Sequence, residues 1–291
     1  MAGENKTPGA TEPKSAAVKT RPDLVTVTGL TVALAGILGG LLIEGGKLRD
    51  IAQFTAALIV LGGTAGAVMV STPSRILIGG VRRLAGVFLD SSTDLRAVIE
   101  EVIGYAVKAR KAGLVSLEQE ADQIPDPFLR KALNLAVDGT DLQEIRKMLG
   151  LEIEIEEAHA EAEAKVFESA GGYAPTVGII GAVLGLIQVM KNLANIDEVG
   201  HGIAVSFVAT VYGVGSANLL FLPAASKIRA RAHAEIQRKE LILEGVSGIV
   251  EGLNPKLIRA KLEAYGGGGK PAKEKSAKDS KVAQAPAEAE A

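Results

Sequence analysis

The feature that most limits the fold of this sequence is a set of four long stretches without a charged residue. They cover residues 24–43, 51–72, 171–190 and 202–226, and each has twenty or more residues. A helix of that length, rising 1.5 Å per residue, crosses the roughly 30 Å hydrocarbon core of a bilayer. Backbone groups in lipid must be satisfied within the segment, so helices are expected. The sequence predicts an all-α membrane protein with four transmembrane helices as two hairpins; buried helices of a soluble protein are the alternative.

Basic residues predict the orientation of the spans. They follow the second and fourth spans, as Arg75, Arg82, Arg83, Lys227, Arg229, Arg231, Arg238 and Lys239. The two short links carry only Lys47, Arg49 and Lys191. By the positive-inside rule, both termini and the long insert between the hairpins are cytoplasmic, so we expect a multi-pass protein of the plasma membrane. More than twenty polar residues precede the first apolar stretch, so we expect no cleaved signal segment.

The patterns divide the chain into six parts. These are a disordered tail (1–22), a first transmembrane hairpin (23–73), a helical cytoplasmic insert (74–170), a second hairpin (171–226), a cytoplasmic C-terminal helix (227–264) and a disordered tail (265–291). Both tails are polar, with few large apolar residues to bury. The insert has helical periodicity, and only residues 151–156 alternate like a strand. Residues 75–88 suit either a helix on the membrane surface or a packed globular helix.

A tip between two helices is predicted inside the insert. One helix is expected to end at Gly113, and the next to begin at Ser116, with Ser116 and Gln119 as a capping box. The tip displays four charged residues, Arg110, Lys111, Glu118 and Glu120. These charges either complement the helix dipoles or form a docking surface, and the pattern does not separate the two.

Acidic residues are concentrated between positions 151 and 168, directly before the third span. The simpler reading is a solvated helix face. The other is that this acidic run concentrates cations near an inner channel mouth.

Composition argues against several classes of function. The chain has no cysteine and three histidines, His159, His201 and His233, which lie in different segments. No metal cluster, phosphate loop or nucleophile paired with a base is evident, so we expect neither an enzyme nor a cofactor. A formal net charge of −2 gives no reason to expect a nucleic-acid partner.

The spans contain no Asp, Glu, Lys, Arg or His, although ion pathways through bilayers normally need such groups. If the chain conducts ions, a partner helix must supply the carboxylate and this chain the polar wall. Thr210, in the fourth span, is the main candidate for that wall, unless its hydroxyl only bonds to its own backbone. Tyr212, Ser216 and Asn218 are weaker candidates, because helix–helix hydrogen bonds explain them. Pro175 and Pro223 are candidate hinges.

The two later spans carry a resemblance to a known family. SAGGYAPTVGIIGAVLGLIQVMKNL and GHGIAVSFVATVYGVGSANLLFLPAASK resemble the A subunit of the flagellar motor stator, the MotA/PomA family of the MotA/TolQ/ExbB proton channel superfamily. ILGGLLIEGG and ALIVLGGTAGAVMV in the first hairpin match as well, so the resemblance covers residues 24–264. It implies a homo-oligomer, a pentamer, around two B subunits whose membrane helix carries the ion-binding aspartate. It also implies that the insert pushes on the rotor's switch-complex protein.

The resemblance also implies roles for single residues. Arg110 and Glu118 occupy rotor-facing positions, with Lys111 as a neighbour, and Pro175 and Pro223 match two functional prolines, while Thr210 matches a pore-lining threonine. Gln119 stands where some members have a second Glu, which leaves open whether Glu120 replaces it. Sodium-driven members tend to have Thr where this chain has Ala182, and hard cations prefer oxygen ligands. The resemblance therefore favours protons.

The predicted function is an ion-conducting stator subunit that couples inward proton flow to torque on the rotor. An energy-transducing proton channel subunit of the Tol or Ton type is the first alternative, although such proteins usually have three spans and a different loop order. A membrane scaffold without ion flux is the second. The insert between spans two and three favours the stator.

Overall fold

The computed structural model describes residues 21–87, 89–90 and 94–265. Most of the two tails predicted to be disordered lies outside these residues. Four helices of the described part are long and apolar enough to cross a membrane: α1 (Leu24–Ile43), α2 (Phe54–Ser71), and parts of two much longer helices. The prediction of an all-α protein with four transmembrane helices is confirmed. Its one departure is a two-residue antiparallel pairing of Arg21–Pro22 with Leu89–Asp90.

Helices α1 and α2 have defined starts. Asp23 caps α1, because its carboxylate accepts a hydrogen bond from the Thr26 N–H at 3.1 Å. Helix α2 begins at Phe54, three residues later than the predicted span, and contains a π turn at Leu58–Gly62. A short helical turn, Leu48–Ile51, lies in the link between the two helices.

The insert begins with α3 (Ser74–Val87) and α4 (Leu95–Ala112), followed by α5 (Pro127–Val137). One face of α3 packs on the next long helix, and a Cβ on Gly80 would lie only 3.2 Å from the Glu163 carbonyl oxygen. Ile78 and Val81 on α3 are exposed. The expectation of a packed globular helix therefore holds for one face of α3. The opposite face of α3 is apolar and uncovered in the single chain.

Helix α6 (Leu142–Lys191) has 50 residues and carries the third span at its C-terminal end. Helix α7 (Ile196–Val250) begins with the fourth span and continues far beyond it, and α8 (Pro255–Tyr265) follows. Residues 151–156, which alternate like a strand, are helical. Leu149 and Ile153 are buried four residues apart, so they also fit one helix face, and that packing decides the structure.

The main core lies in the insert and the C-terminal part of the chain. Its largest fully buried side chains are Leu117, Ile124, Phe128, Leu129, Leu133, Ile145, Leu149, Leu241, Ile242, Ile258 and Leu262. They come from α5 to α8 and from the turns before α5, and buried residues of α4 pack on them, so the end of α7 belongs to the same folded unit as the insert. This core connects the tip at the end of α4 to the two long helices.

Glycines let α6 and α7 approach closely in the second hairpin. A Cβ on Gly213 would lie 2.6 Å from the Ala174 carbonyl oxygen, and one on Gly181 would lie 2.8 Å from the Ala209 Cβ. Small residues thus serve helix packing here, as predicted. The corresponding pairs in the first hairpin, Gly36 with Gly40 and Gly62 with Gly66, have no described atom within 4 Å of a Cβ. Their faces stay open within the single chain.

Candidate ion pathway and rotor-facing surface

Thr210 lies at the crossing of α6 and α7 and is partly exposed. Its hydroxyl donates to the Ser206 carbonyl oxygen at 3.2 Å, the backbone bond that was the alternative to a role in the pathway. The hydroxyl proton is therefore used within the helix. Its oxygen lone pairs remain free to accept a hydrogen bond or meet a cation.

Ala182 lies at the same level of the crossing. It follows Gly181, whose Cβ position is 2.8 Å from Ala209, and Ala209 precedes Thr210. Ala182 is half-buried and offers only a methyl group. The crossing therefore combines the hydroxyl of Thr210 on α7 with the apolar side chain of Ala182 on α6.

The two prolines lie on neighbouring turns of the same hairpin. Pro175 is inside α6, where it deprives the Gly171 carbonyl of its usual donor. Pro223 lies two residues after the end of a π turn, Ala217–Phe221, in α7. A Cβ on Gly171 would lie 2.5 Å from Leu222, so the weakened turn of α6 packs against the turn that contains Pro223. Both helices are thus locally weakened where they touch.

The tip follows the prediction at its start and departs from it afterwards. Gly113 ends α4 with a φ of +85°, and its N–H donates to the Ala109 carbonyl oxygen at 2.8 Å. The predicted capping box at Ser116 is wrong, because the Ser116 hydroxyl donates to the Gly113 carbonyl oxygen at 2.6 Å. Two short helical turns follow, Leu114–Leu117 and Glu118–Ala121, and the buried Leu117 and Ala121 hold them. Tight local bonding replaces a full helix start.

The four charged residues of the tip differ in their surroundings. Arg110, Lys111 and Glu118 are exposed, and none forms an ion pair within the part of the chain that the structure describes. Glu120 is half-buried, and its carboxylate accepts a hydrogen bond from Lys108 Nζ at 2.5 Å. Lys108 was not singled out in the sequence, since nothing there indicates a pairing across 12 positions.

The acidic run is largely neutralised by basic residues of other elements. The pairs are Lys131 with Glu152, Lys239 with Glu156, Arg83 with Glu163, and Arg229 with both Glu161 and Glu168. Arg229 holds the pKa of Glu161 below its usual value by hydrogen bonding to the ionised carboxylate. The idea that this run concentrates cations loses support, because most of its charge is already compensated. We call these pairs the ion-pair ladder.

Two further polar contacts connect distant parts of the chain. The Tyr212 hydroxyl donates to the Ile51 carbonyl oxygen at 2.5 Å and accepts from the Gln53 N–H at 3.3 Å. It thereby satisfies the non-helical backbone before α2, as a membrane segment requires. Asp23, at the start of α1, pairs with Lys227 and Arg231 of α7. Sequence spacing gave no signal for either contact.

Comparisons with known proteins agree along most of the described chain. The family model "Motility protein A N-terminal" matches residues 27–110, and "MotA/TolQ/ExbB proton channel family" matches residues 120–241. Motility protein A of Bacillus subtilis is 35% identical over 247 residues, which are 84% of this chain and 90% of that protein. Chemotaxis protein PomA of Vibrio alginolyticus is 30% identical over 252 residues, 87% of this chain and 98% of that protein.

Two solved structures are also similar. The C. jejuni MotAB structure matches with a TM-score of 0.80 and 34% identity, covering 84% of this chain and 95% of that chain. The flagellar MotAB stator complex from Bacillus subtilis matches with a TM-score of 0.75 and 34% identity, covering 83% of this chain and 94% of that chain. The fold and the sequence agree, and the chain belongs to the MotA/TolQ/ExbB proton channel family, among its Motility protein A members.

Proposed function

We propose that this chain is the ion-channel subunit of a flagellar motor stator, which couples inward proton flow to torque. The observation that carries the proposal is similarity to Motility protein A over more than four fifths of the chain. The Motility protein A N-terminal match and the four membrane helices favour a stator over a Tol- or Ton-type channel subunit. A membrane scaffold without ion flux would not need the Thr210 hydroxyl at the helix crossing, or Pro175 and Pro223 in the same hairpin.

The ion pathway needs a second kind of subunit. The spans contain no Asp, Glu, Lys, Arg or His, so a proton carrier that titrates near neutral pH must come from another polypeptide. The similar structures are MotAB complexes, which supports a B subunit of the MotB type as that partner. Thr210 would face the partner's carboxylate, and the open glycine faces of the first hairpin suit packing between copies in a homo-oligomer, here proposed to be a pentamer.

Protons are proposed as the conducted ion. Na⁺ is a hard cation that needs several oxygen ligands, and Ala182 supplies none beside Thr210. A carboxylate that binds and releases a proton needs no such set of ligands. The absence of a hydroxyl at position 182 therefore favours proton conduction.

Torque is proposed to pass from the two prolines to the tip. Pro175 and Pro223 weaken α6 and α7 where the helices touch, so a change at the pathway can bend the hairpin there. The rotor's switch-complex protein would meet Arg110, Lys111 and Glu118, whose charges have no partner among the described residues of the chain. Glu120 contributes differently, because its pairing with Lys108 holds the turn that presents Glu118.

Motility tests this function directly. The chain and its B subunit are expressed in cells that lack stators, and swimming speed is measured against sodium concentration and with a protonophore. We expect swimming that is independent of sodium and abolished by the protonophore. Immotile cells with assembled complex would contradict the stator function, whereas strong sodium dependence would contradict only the choice of ion.

Charge reversal tests the tip. Arg110→Glu and Glu118→Lys should each reduce torque without reducing the amount of complex in the membrane. Lys256→Glu is a suitable control, because Lys256 is an exposed basic residue of the same folded unit, on α8, and like Arg110 it forms no ion pair among the described residues. Unchanged swimming in an Arg110→Glu, Glu118→Lys double variant would remove the rotor-facing role.

A further inference from the structure

We propose that Asp23 is a positioning residue that anchors the N-terminal end of α1 to α7 one helical turn beyond Pro223, so that α1 moves together with that part of α7. We call the contact of Asp23 with Lys227 and Arg231 the N-terminal clasp. The inference rests on the proposed stator function, because it assigns the clasp a part in transmitting force.

The carboxylate of Asp23 is almost completely enclosed by donors. Its Oδ1 accepts the Thr26 N–H at 3.1 Å, and its Oδ2 accepts the Thr26 hydroxyl at 2.9 Å. Lys227 Nζ pairs with Oδ2, and Arg231 Nη2 lies 3.6 Å from the same oxygen. The side chain is only 9% exposed. A carboxylate in such a setting is stable only with its partners in place, because an unpaired buried charge is strongly unfavourable.

Basic residues of the clasp join three elements. Lys227 and Arg231 lie four residues apart, so they point from one face of α7. Arg231 also donates through Nη1 to the Gly86 carbonyl oxygen at the end of α3. Residues 21–22, directly before Asp23, pair with residues 89–90 beyond α3. The start of α1 is thus fixed to α7 and to the end of α3 at once.

Helix α1 is held to the rest of the described chain mainly by the ion pairs of the clasp. None of the residues of α1 is buried. A cavity of about 320 Å³ separates α1 from α7 above the clasp, and its walls include Gly29, Leu30, Leu220 and Pro223. Helix α1 is therefore held at its N-terminal end and stands apart from α7 along its length. Lys227 is four residues after Pro223, so a bend at that proline displaces Lys227 and, through the clasp, α1.

The clasp suits an anchor and does not suit a proton relay. Hydrogen bonds from Lys227 and Thr26 hold the pKa of Asp23 far below its usual range. The carboxylate therefore stays ionised at every pH at which a cell swims. A permanent charge pair keeps the contact closed while other parts of the hairpin move.

Asp23→Asn separates the ion pair from the helix cap. Asn caps a helix as well as Asp does, so this variant keeps the Thr26 bond and loses the charge. We expect Asp23→Asn to assemble with the B subunit in normal amounts, to conduct protons in complexes whose channel is held open, and to lose torque under load. Asp23→Glu, which keeps the carboxylate charge, should retain more torque than Asp23→Asn. Lys256→Gln, which removes an exposed charge of α8 that forms no ion pair among the described residues, should behave like the unaltered chain.

A cross-link tests whether the clasp stays closed. The chain has no cysteine, so Asp23→Cys with Lys227→Cys can be bridged by a short bifunctional thiol reagent without background in this subunit. The unbridged pair should lose torque, and bridging should restore it. Loss of torque on bridging would show that the contact opens during the cycle and would overturn the proposal.

The outcomes also separate the clasp from the function it rests on. Normal torque in Asp23→Asn, or loss in proportion to the amount of assembled complex, overturns the clasp while the unaltered chain still swims. Failure of the unaltered chain to swim with its B subunit contradicts the stator function itself.

Discussion

Four serine and threonine hydroxyls in the second hairpin share one arrangement at the level of single residues. Each donates its proton to a carbonyl of the preceding turn: Thr176 to Tyr173, Ser206 to Gly202, Thr210 to Ser206 and Ser216 to Gly213. Such hydroxyls present oxygen lone pairs and no free proton. The hairpin therefore offers acceptors to a positive species or to a protonated carboxyl group, and it offers no charge of its own.

The hydroxyl of Thr210 can be tested by removing it. Thr210→Val keeps the branched side chain and loses the oxygen, whereas Thr210→Ser keeps the oxygen. A hydrogen bond to a charged group contributes about 1.5–3 kcal/mol, which corresponds to a fall in proton flux on the order of ten- to a hundredfold. We expect this fall in Thr210→Val and near-normal flux in Thr210→Ser, measured by acidification of cells with an unplugged complex. Equal flux in both variants would exclude the hydroxyl from the pathway.

Glu101 makes the stability of the main core depend on pH. Burial and the nearby Asp126 raise its pKa, and burial with the charges of Glu101 and Glu120 raises the pKa of Tyr105 to about 12. The folded state holds the Glu101 proton more tightly than the unfolded state, so this stabilisation is complete below the ordinary Glu pKa. It is lost as pH rises through the folded-state value.

Glu101→Gln should remove that pH dependence. The amide oxygen can still accept from the Tyr105 hydroxyl, and no charge has to be buried. We expect the Glu101→Gln variant to have a higher melting temperature than the unaltered chain at neutral pH, and a similar one at pH about 4. Circular dichroism of the purified complex measures both melting temperatures. Glu100→Gln, on the exposed face of α4, is the matched control, since the pKa of Glu100 is lowered by Arg259. A neutral-pH melting temperature below that of the unaltered chain would contradict the assignment.

At the scale of elements, the sequence predicts the membrane spans because lipid imposes a length and excludes charge. It does not predict where the helices end. Helix α6 passes from the insert into the third span without a break, and Pro175 inside it does not stop it. The ends of a membrane span are set by bilayer thickness and charged residues, whereas the ends of a helix are set by capping and packing. The predicted span limits at residues 171 and 226 therefore do not coincide with the end of any helix.

The ion-pair ladder and the clasp were beyond sequence reasoning for another reason. Glu156 pairs with Lys239 across 83 positions, and Glu161 pairs with Arg229 across 68. Their pairing depends on how α6 and α7 pack, which periodicity alone does not give. The tip residues were recognisable because Gly113 and its neighbouring charges form a local signal. The exact turn at Ser116 was not, since two short turns compete with one capped helix.

Glycine contacts between α6 and α7 give a prediction at this scale. In Gly213→Ala the new Cβ would lie 2.6 Å from the Ala174 carbonyl oxygen, so two backbones have to move apart. Overpacking of this kind costs about 1–3 kcal/mol, and we expect less assembled complex and a lower melting temperature. Gly215→Ala is the control, because no described atom lies within 4 Å of its Cβ position. If both variants melt alike, the close crossing is not the feature that holds the hairpin.

At the scale of the whole molecule, α6 and α7 form one continuous connection between membrane and tip. Helix α6 has 50 residues, which corresponds to about 75 Å. Helix α7 packs closely against α4, because a Cβ on Gly245 of α7 would lie 2.5 Å from the side chain of Val102 on α4. Two contacts of the ion-pair ladder, Lys239 with Glu156 and Arg229 with Glu161, join the two long helices between these ends. A bend at Pro175 and Pro223 therefore reaches the tip through packed helices, with no loop in between.

The same scale decides what the chain can do without a partner. Its membrane helices present acceptors, glycine crossings and apolar faces, and they contain no group that takes up and releases a proton. Moving a bare charge through hydrocarbon costs several kcal/mol or more, so a hydroxyl wall alone does not conduct at a useful rate. Conduction should appear only when a carboxylate from another helix lies beside Thr210.

Reconstitution in lipid vesicles tests this dependence. We expect vesicles with the purified chain alone to show no proton flux above the lipid background under an imposed potential, and vesicles with the chain and an unplugged B subunit to acidify. The control is the same complex with the membrane aspartate of the B subunit replaced by asparagine, which keeps the assembly and removes the titratable group. Proton flux from the chain alone at the rate of the complex would contradict the need for a carboxylate from the B subunit. Hydroxyls and backbone carbonyls of the spans would then have to carry the protons.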